Sequence, residues 1–135
     1  MNWLTDLLDI IRRRKPGPTP EERLKAFQEM ENDPGIFAFT ETGFSITHEN
    51  FTKTLLWSDI TEINVFKTDL FTTDRVDMEI VYGDKAITIH EELPGWYQFV
   101  LKTKEIFPSI PKDWDLTIIQ PPFATNYRTI YNKNS

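Results

Sequence analysis

The chain has 135 residues, enough for one domain with its own core, and no cysteine, which leaves no disulfide framework, thiolate nucleophile or cysteine-based zinc site. Its formal charge is −6, unevenly placed: residues 1–30 carry six Lys/Arg against five Asp/Glu, and residues 31–135 carry nine against sixteen. A main domain that acidic disfavours DNA, RNA and anionic lipid as partners, because those need a basic footprint, and it favours a basic protein.

Residues 2–14 have the spacing of an amphipathic helix. Trp3, Leu4, Leu7, Leu8, Ile10 and Ile11 share a broad apolar face, Asp6 and Asp9 come early, and Arg12, Arg13, Arg14 and Lys15 come last, which suits the helix dipole. Such a helix covers its apolar face on the domain, on a second subunit as a homodimer, or on a membrane surface with Trp3 and the basic run at the headgroups. Trp3, Leu7, Ile11, Arg12, Arg13 and Arg14 are therefore the candidate membrane or oligomer contacts. The start lacks the basic leader and small-residue cleavage site of a signal peptide, and no stretch approaches the roughly 20 apolar residues of a membrane span, so a cytoplasmic protein is expected.

Pro16-Gly17-Pro18-Thr19 reads as a linker after the first helix, inside a helical extension over residues 1–31, with the main domain at 32–135. Thr19 can cap a second helix, Pro20 suits its first position, and Glu22 stands where a capping-box acid belongs. That helix should run to about Glu31, with a thin apolar set of Leu24, Ala26, Phe27 and Met30, and stop at Asn32-Asp33-Pro34-Gly35.

From Ile36 the pattern changes to short strands: Ile36–Thr40, Phe44–Thr47, Phe51–Trp57, Ile60–Phe66, Val76–Tyr82 and Ala86–His90. The clearest is Val76–Tyr82, where Val76, Met78, Ile80 and Tyr82 alternate with Asp77 and Glu79. Glu41-Thr42-Gly43, His48-Glu49-Asn50 and Gly83-Asp84-Lys85 read as turns, and the polar run from Lys67-Thr68-Asp69 to Thr72-Thr73-Asp74 turns the chain between the fourth and fifth strands. Trp96, Phe99, Val100, Thr103, Ile106 and Phe107 then recur at helical spacing, closed by Pro108 and Pro111. In the tail, Trp114–Ile119 suggests a short strand with Trp114 partly exposed between Asp113 and Asp115, and Phe123–Tyr131 an extended segment returning to a sheet edge.

The fold class is thus α+β: an antiparallel meander of six strands followed by one amphipathic helix, preceded by two N-terminal helices. This order resembles a pleckstrin-homology-like domain, which implies a curved sheet or partial barrel capped by the C-terminal helix over about residues 36–107. Phosphoinositide binding, often tied to that fold, needs basic residues in the first hairpin loop; here that loop is Glu41-Thr42-Gly43. A second resemblance lies in Trp57-Ser-Asp-Ile60, Phe66-Lys-Thr-Asp69, Thr73-Asp74, Pro94-Gly-Trp96 and Pro122-Phe-Ala-Thr-Asn126. These stretches are similar to the W-x-D-I, K-x-D-x-x-T-x-D, G-W and F-A-T-N pattern of a family of small uncharacterised bacterial proteins, which implies a bacterial origin and no particular activity.

Candidate sites are few. His48 and His90 lack ligand spacing and read as solvated histidines, so no metal is expected. Asp69, Asp74 and Asp77 cluster in the central hairpin without the spacing of a calcium loop, and turn hydrogen bonding accounts for Asp69 and Asp74. With Trp114 they are the candidate partner contacts. There is no G-x-S-x-G, no glycine-rich phosphate loop and no cofactor motif. The expectation is a non-enzymatic protein-interaction domain, one concrete form being an immunity-type protein against a basic toxin. A membrane-peripheral protein held by residues 2–15 and a small-molecule-binding or hydrolytic domain are the alternatives.

Overall fold

The computed structural model describes residues 19–135, without the side chains of 27–32, and the chain divides into two units, residues 1–30 and 31–135. The predicted helix over residues 2–14, with its candidate contacts, lies outside the described residues. Helix α1 spans Pro20–Asn32. Its start follows the capping logic: the Glu22 amide donates to Thr19 Oγ1 at 3.1 Å and the Arg23 amide to the Thr19 carbonyl at 2.9 Å.

The second unit is α+β with antiparallel strands, but they form two sheets rather than one meander. The first sheet has β1 (Phe37–Phe39), β2 (Gly43–His48) and β3 (Phe51–Leu56) in that order. The second has β4 (Ile60–Asp69), β5 (Asp74–Tyr82), β6 (Lys85–His90) and β7 (Arg128–Asn132), ordered β6-β5-β4-β7. The chain passes from one sheet to the other through a 3₁₀ turn at Trp57–Asp59, which breaks the ladder where a meander would pair continuously. The extended tail segment does return to an edge, as β7 beside β4.

Helix α2 covers Trp96–Ile106. Its buried stripe of Phe99, Val100 and Thr103 follows from the three- and four-residue spacing, and Trp96 is only partly buried against the core. Phe99 is the hub of a ring cluster, 4.6 Å from Phe37, 4.9 Å from Phe44 and 6.2 Å from Trp57 between ring centroids. The helix is seated by a close backbone approach. Gly95, with φ of 90°, precedes it, and a Cβ there would meet the Pro34 carbonyl oxygen. The Ile36 amide donates to the Pro94 carbonyl at 3.1 Å, tying the entry of the first sheet to the entry of the helix.

One tail element is corrected, and one strand residue departs from its pattern. Trp114–Ile119 is not a strand: a short helix, α3, spans Trp114–Thr117. Trp114 is 1% exposed, because one helical turn points it inward while Asp113 and Asp115 stay near the surface. Phe51 shares the strand alternation of Leu55 and Trp57 but is exposed, since it opens β3 beyond the reach of the core. No described helix is long and apolar enough to cross a membrane.

Because Phe99 is fully buried and packs among four other rings, Phe37, Phe39, Phe44 and Trp57, Phe99→Ala should lower stability by roughly 3 to 5 kcal/mol. Urea denaturation followed by tryptophan fluorescence measures it.

Candidate functional site

The β4–β5 hairpin pairs in register from Ile63↔Ile80 to Asp69↔Asp74, so the turn is Leu70–Thr73 alone. Lys67 belongs to the strand and not to the turn. It follows Ile63 and Val65 on one face of β4, and the face they share is the buried one. Only 3% of Lys67 is exposed. A buried ammonium needs acceptors for its three hydrogens, and it has them. Its Nζ donates to Asp74 Oδ2 at 3.3 Å, to the Ile119 carbonyl at 3.1 Å and to the Pro121 carbonyl.

Those carbonyls belong to the segment between α3 and β7, which is stitched to the hairpin at further points. The Phe123 amide donates to Asp74 Oδ2 at 2.6 Å, and the Lys67 amide to the Thr125 carbonyl at 2.7 Å. Asn126 Nδ2 donates to the carbonyls of Ile118 and Gln120 at 3.0 and 3.1 Å. Arg128 Nε reaches Asn126 Oδ1 at 3.2 Å, and Arg128 Nη1 reaches Thr117 Oγ1 at 2.7 Å. The Gln120–Pro121 bond is cis. Lys67, Asp74 and the Phe123–Asn126 stretch, separated by about fifty positions in sequence, thus form one clamp.

The clamp presents side chains to solvent. At the hairpin tip, Asp69 Oδ1 accepts the Phe71 amide at 2.7 Å, an Asx turn. Phe71 is 95% exposed and has φ of 74°. Phe123, also exposed, has φ of 59°. Two bulky residues in the left-handed region are strained conformations that surrounding bonds must hold, and such outliers concentrate at functional positions. Leu116, Ile119 and Tyr127 are exposed on the same 114–127 segment.

Beside it, the outer face of β4, β5 and β7 carries a polar network. Asn64 Nδ2 donates to Glu62 Oε2 and Glu79 Oε1, both at 2.9 Å, and Asn64 Oδ1 accepts Thr129 Oγ1 at 2.7 Å. The Tyr127 ring stacks on Phe66 at 5.9 Å, and its hydroxyl donates to Glu79 Oε1 at 3.4 Å. Partial burial, then the charges of Glu79 and Glu62, hold the Tyr127 hydroxyl above the usual phenol range, since a phenolate there would face two carboxylates.

The sequence-predicted residues fall into different roles. Asp69 shapes the exposed tip. Asp74 sits in the clamp. Asp77 is buried on the opposite face from Asp74, where Arg75 Nε and Thr68 Oγ1 each donate to it at 2.7 Å. Trp114 is in the core, so neither it nor Asp77 offers the exposed surface expected of it. Phe71 and Phe123 are missed by sequence reasoning; the signal that could find Phe71 is an aromatic inside a turn-forming polar run. His48 and His90, forty-two positions apart, line one cavity of about 300 Å³ with Ile36, Ile46, Phe51, Ile87 and Leu93. Among the described residues, no group of three or more His, Cys, Asp or Glu is placed to hold a metal ion.

Lys67→Met should cost roughly 3 to 5 kcal/mol, because it strands Asp74 and two carbonyls, whereas Asp69→Ala at the exposed tip should cost about 1 kcal/mol. Chemical denaturation of both variants checks the contrast. Tyr127 should titrate above the ordinary phenol value, and Glu79→Gln should lower that value; absorbance near 295 nm reads it. The sign follows: a raised acid favours its protonated form in the fold, so this contribution is present below the unfolded pKa and is lost as pH rises through the folded one.

No protein-family model matches the sequence, and no curated protein or solved structure was found to be similar to it.

Proposed function

We propose that the 31–135 unit is a non-enzymatic protein-interaction domain that binds a basic partner through the end of the second sheet formed by the Leu70–Thr73 turn and the 114–127 segment. The observation that carries this reading is Phe71, a 95% exposed aromatic in a left-handed conformation, its amide held by Asp69 at the tip of a hairpin that the ion pair of the buried Lys67 with the half-buried Asp74 anchors. An exposed ring on a fixed backbone loses little freedom on binding, the property of an interface anchor. Phe123 and Tyr127 supply further aromatic surface, Asp69 supplies negative charge at the tip, and Glu79 supplies it beside the Tyr127 hydroxyl. The unit as a whole carries sixteen acidic residues against nine basic ones, which steers a basic partner toward it.

One concrete form of this function is an immunity-type protein that neutralises a basic toxin such as a nuclease, acting in a bacterial cytoplasm. The finer fold reading, a pleckstrin-homology-like partial barrel, is supported by the order of six strands followed by a helix.

The test is affinity purification of the tagged full chain with quantification of the co-purifying partner. Phe71→Ser combined with Phe123→Ser should reduce recovery about tenfold or more, and binding should weaken as salt rises. Unchanged recovery with the double variant, or salt-independent binding, would overturn the reading.

A further inference from the structure

A second surface lies at the other side of the same sheet. β6 is an edge strand, at the opposite end of the β6-β5-β4-β7 order from β7. The cavity of about 300 Å³ is lined by Ile87, Thr88, Ile89 and His90, four consecutive strand residues. Successive side chains of a strand point to opposite faces, so four in a row line one cavity only where it runs along the strand's edge. The far wall is Ile46, His48 and Phe51, from the end of β2 and the start of β3, and Ile36 and Leu93 complete the lining.

The phase of the ladder says which main-chain groups face the cavity. The Glu91 amide donates to the Val76 carbonyl, and the β5–β6 register runs from Asp77↔His90 to Tyr82↔Lys85 without a shift. Hydrogen-bonded pairs alternate along an antiparallel ladder, so Ile89, Ile87 and Lys85 turn their main-chain groups toward β5. Thr88 turns both its N–H and its C=O outward, and Ala86 does likewise. Among the described residues, neither has a backbone partner on that side. Phe51, exposed, forms an apolar lip, and the acidic Glu91 and Glu92 follow the strand, both exposed.

We infer that the β6 edge captures an extended peptide by strand addition. The occupant is a segment with apolar side chains at alternate positions and basic residues flanking them. Its main chain pairs with Thr88 and Ala86. One apolar side chain enters the cavity between Ile46, Ile87 and Ile89, and a flanking arginine or lysine meets the exposed Glu92, since Glu91 Oε1 already accepts the Val76 amide at 2.9 Å. Main-chain pairing supplies the affinity here and the cavity the preference for a branched aliphatic residue. This edge is independent of the Phe71 end, which is built from other elements.

The probe is a capped peptide alternating valine and threonine with an arginine at each end, titrated into the ¹⁵N-labelled full chain and followed by NMR. The expected result is saturable shifts at the amides of Ala86, Thr88 and His90 and at the methyls of Ile46 and Ile87. Thr88→Pro removes an N–H that the β5 ladder does not use and should weaken binding about tenfold. N-methylation of alternate peptide residues should do the same with the wild-type protein, which keeps the test decisive if Thr88→Pro does not fold. Absence of shifts at those amides would overturn the inference. So would equal affinity for the N-methylated peptide, or a peptide-free dimer paired through this edge.

Discussion

An ammonium group inside a protein is tolerated only if its hydrogens find acceptors, and Lys67 meets that condition with three groups from two other parts of the chain. It projects from β4, takes Asp74 from the start of β5, and takes two carbonyls from the segment ahead of β7. That segment has little regular structure. It follows a four-residue helix and contains two residues with positive φ, Phe123 and Asn126, so local propensity cannot hold it. The charge does, together with Asn126 fastening the carbonyls of Ile118 and Gln120. Remove the charge, and Asp74, which also accepts the Phe123 amide, loses its counter-ion.

The same constraint links the fold to the proposed interface. The aromatic hub around Phe99 stabilises the interior, but it says nothing about what the surface does. The clamp and the Asx turn hold the backbone that carries Phe71 and Phe123, and a ring on a fixed backbone loses less freedom on binding than one on a mobile loop. The β6 edge draws on a different resource, unpaired backbone beside an apolar cavity.

Much of the architecture is legible from periodicity. Val76–Tyr82 alternates and is a strand; Trp96–Ile106 repeats at helical spacing and is a helix; Thr19 and Pro20 mark a helix start. Features that depend on distance in three dimensions are not legible. Lys67 reads as the first polar residue of a turn, although it keeps the parity of Ile63 and Val65 and so belongs to the buried face. Turn bonding describes Asp69 correctly but not Asp74, whose partner amide lies forty-nine residues away. Trp114 between two aspartates suggests a strand with an exposed ring, whereas a single helical turn buries the ring. The division into two sheets follows from the 3₁₀ turn at Trp57–Asp59; the break between strands at Ser58-Asp59 is legible, but a hairpin and a change of sheet read alike there.

If the Lys67 ammonium holds the 118–126 segment to the hairpin, removing it must loosen that segment while leaving the helix intact. Amide hydrogen exchange of Lys67→Met, compared with the wild type under native conditions, is the decisive measurement. The Phe123 amide, which donates to Asp74, should lose its protection, while the Phe107 amide, which donates to the Thr103 carbonyl in the helix, should keep its own. Equal protection of Phe123 in both proteins would contradict a clamp held by the buried charge.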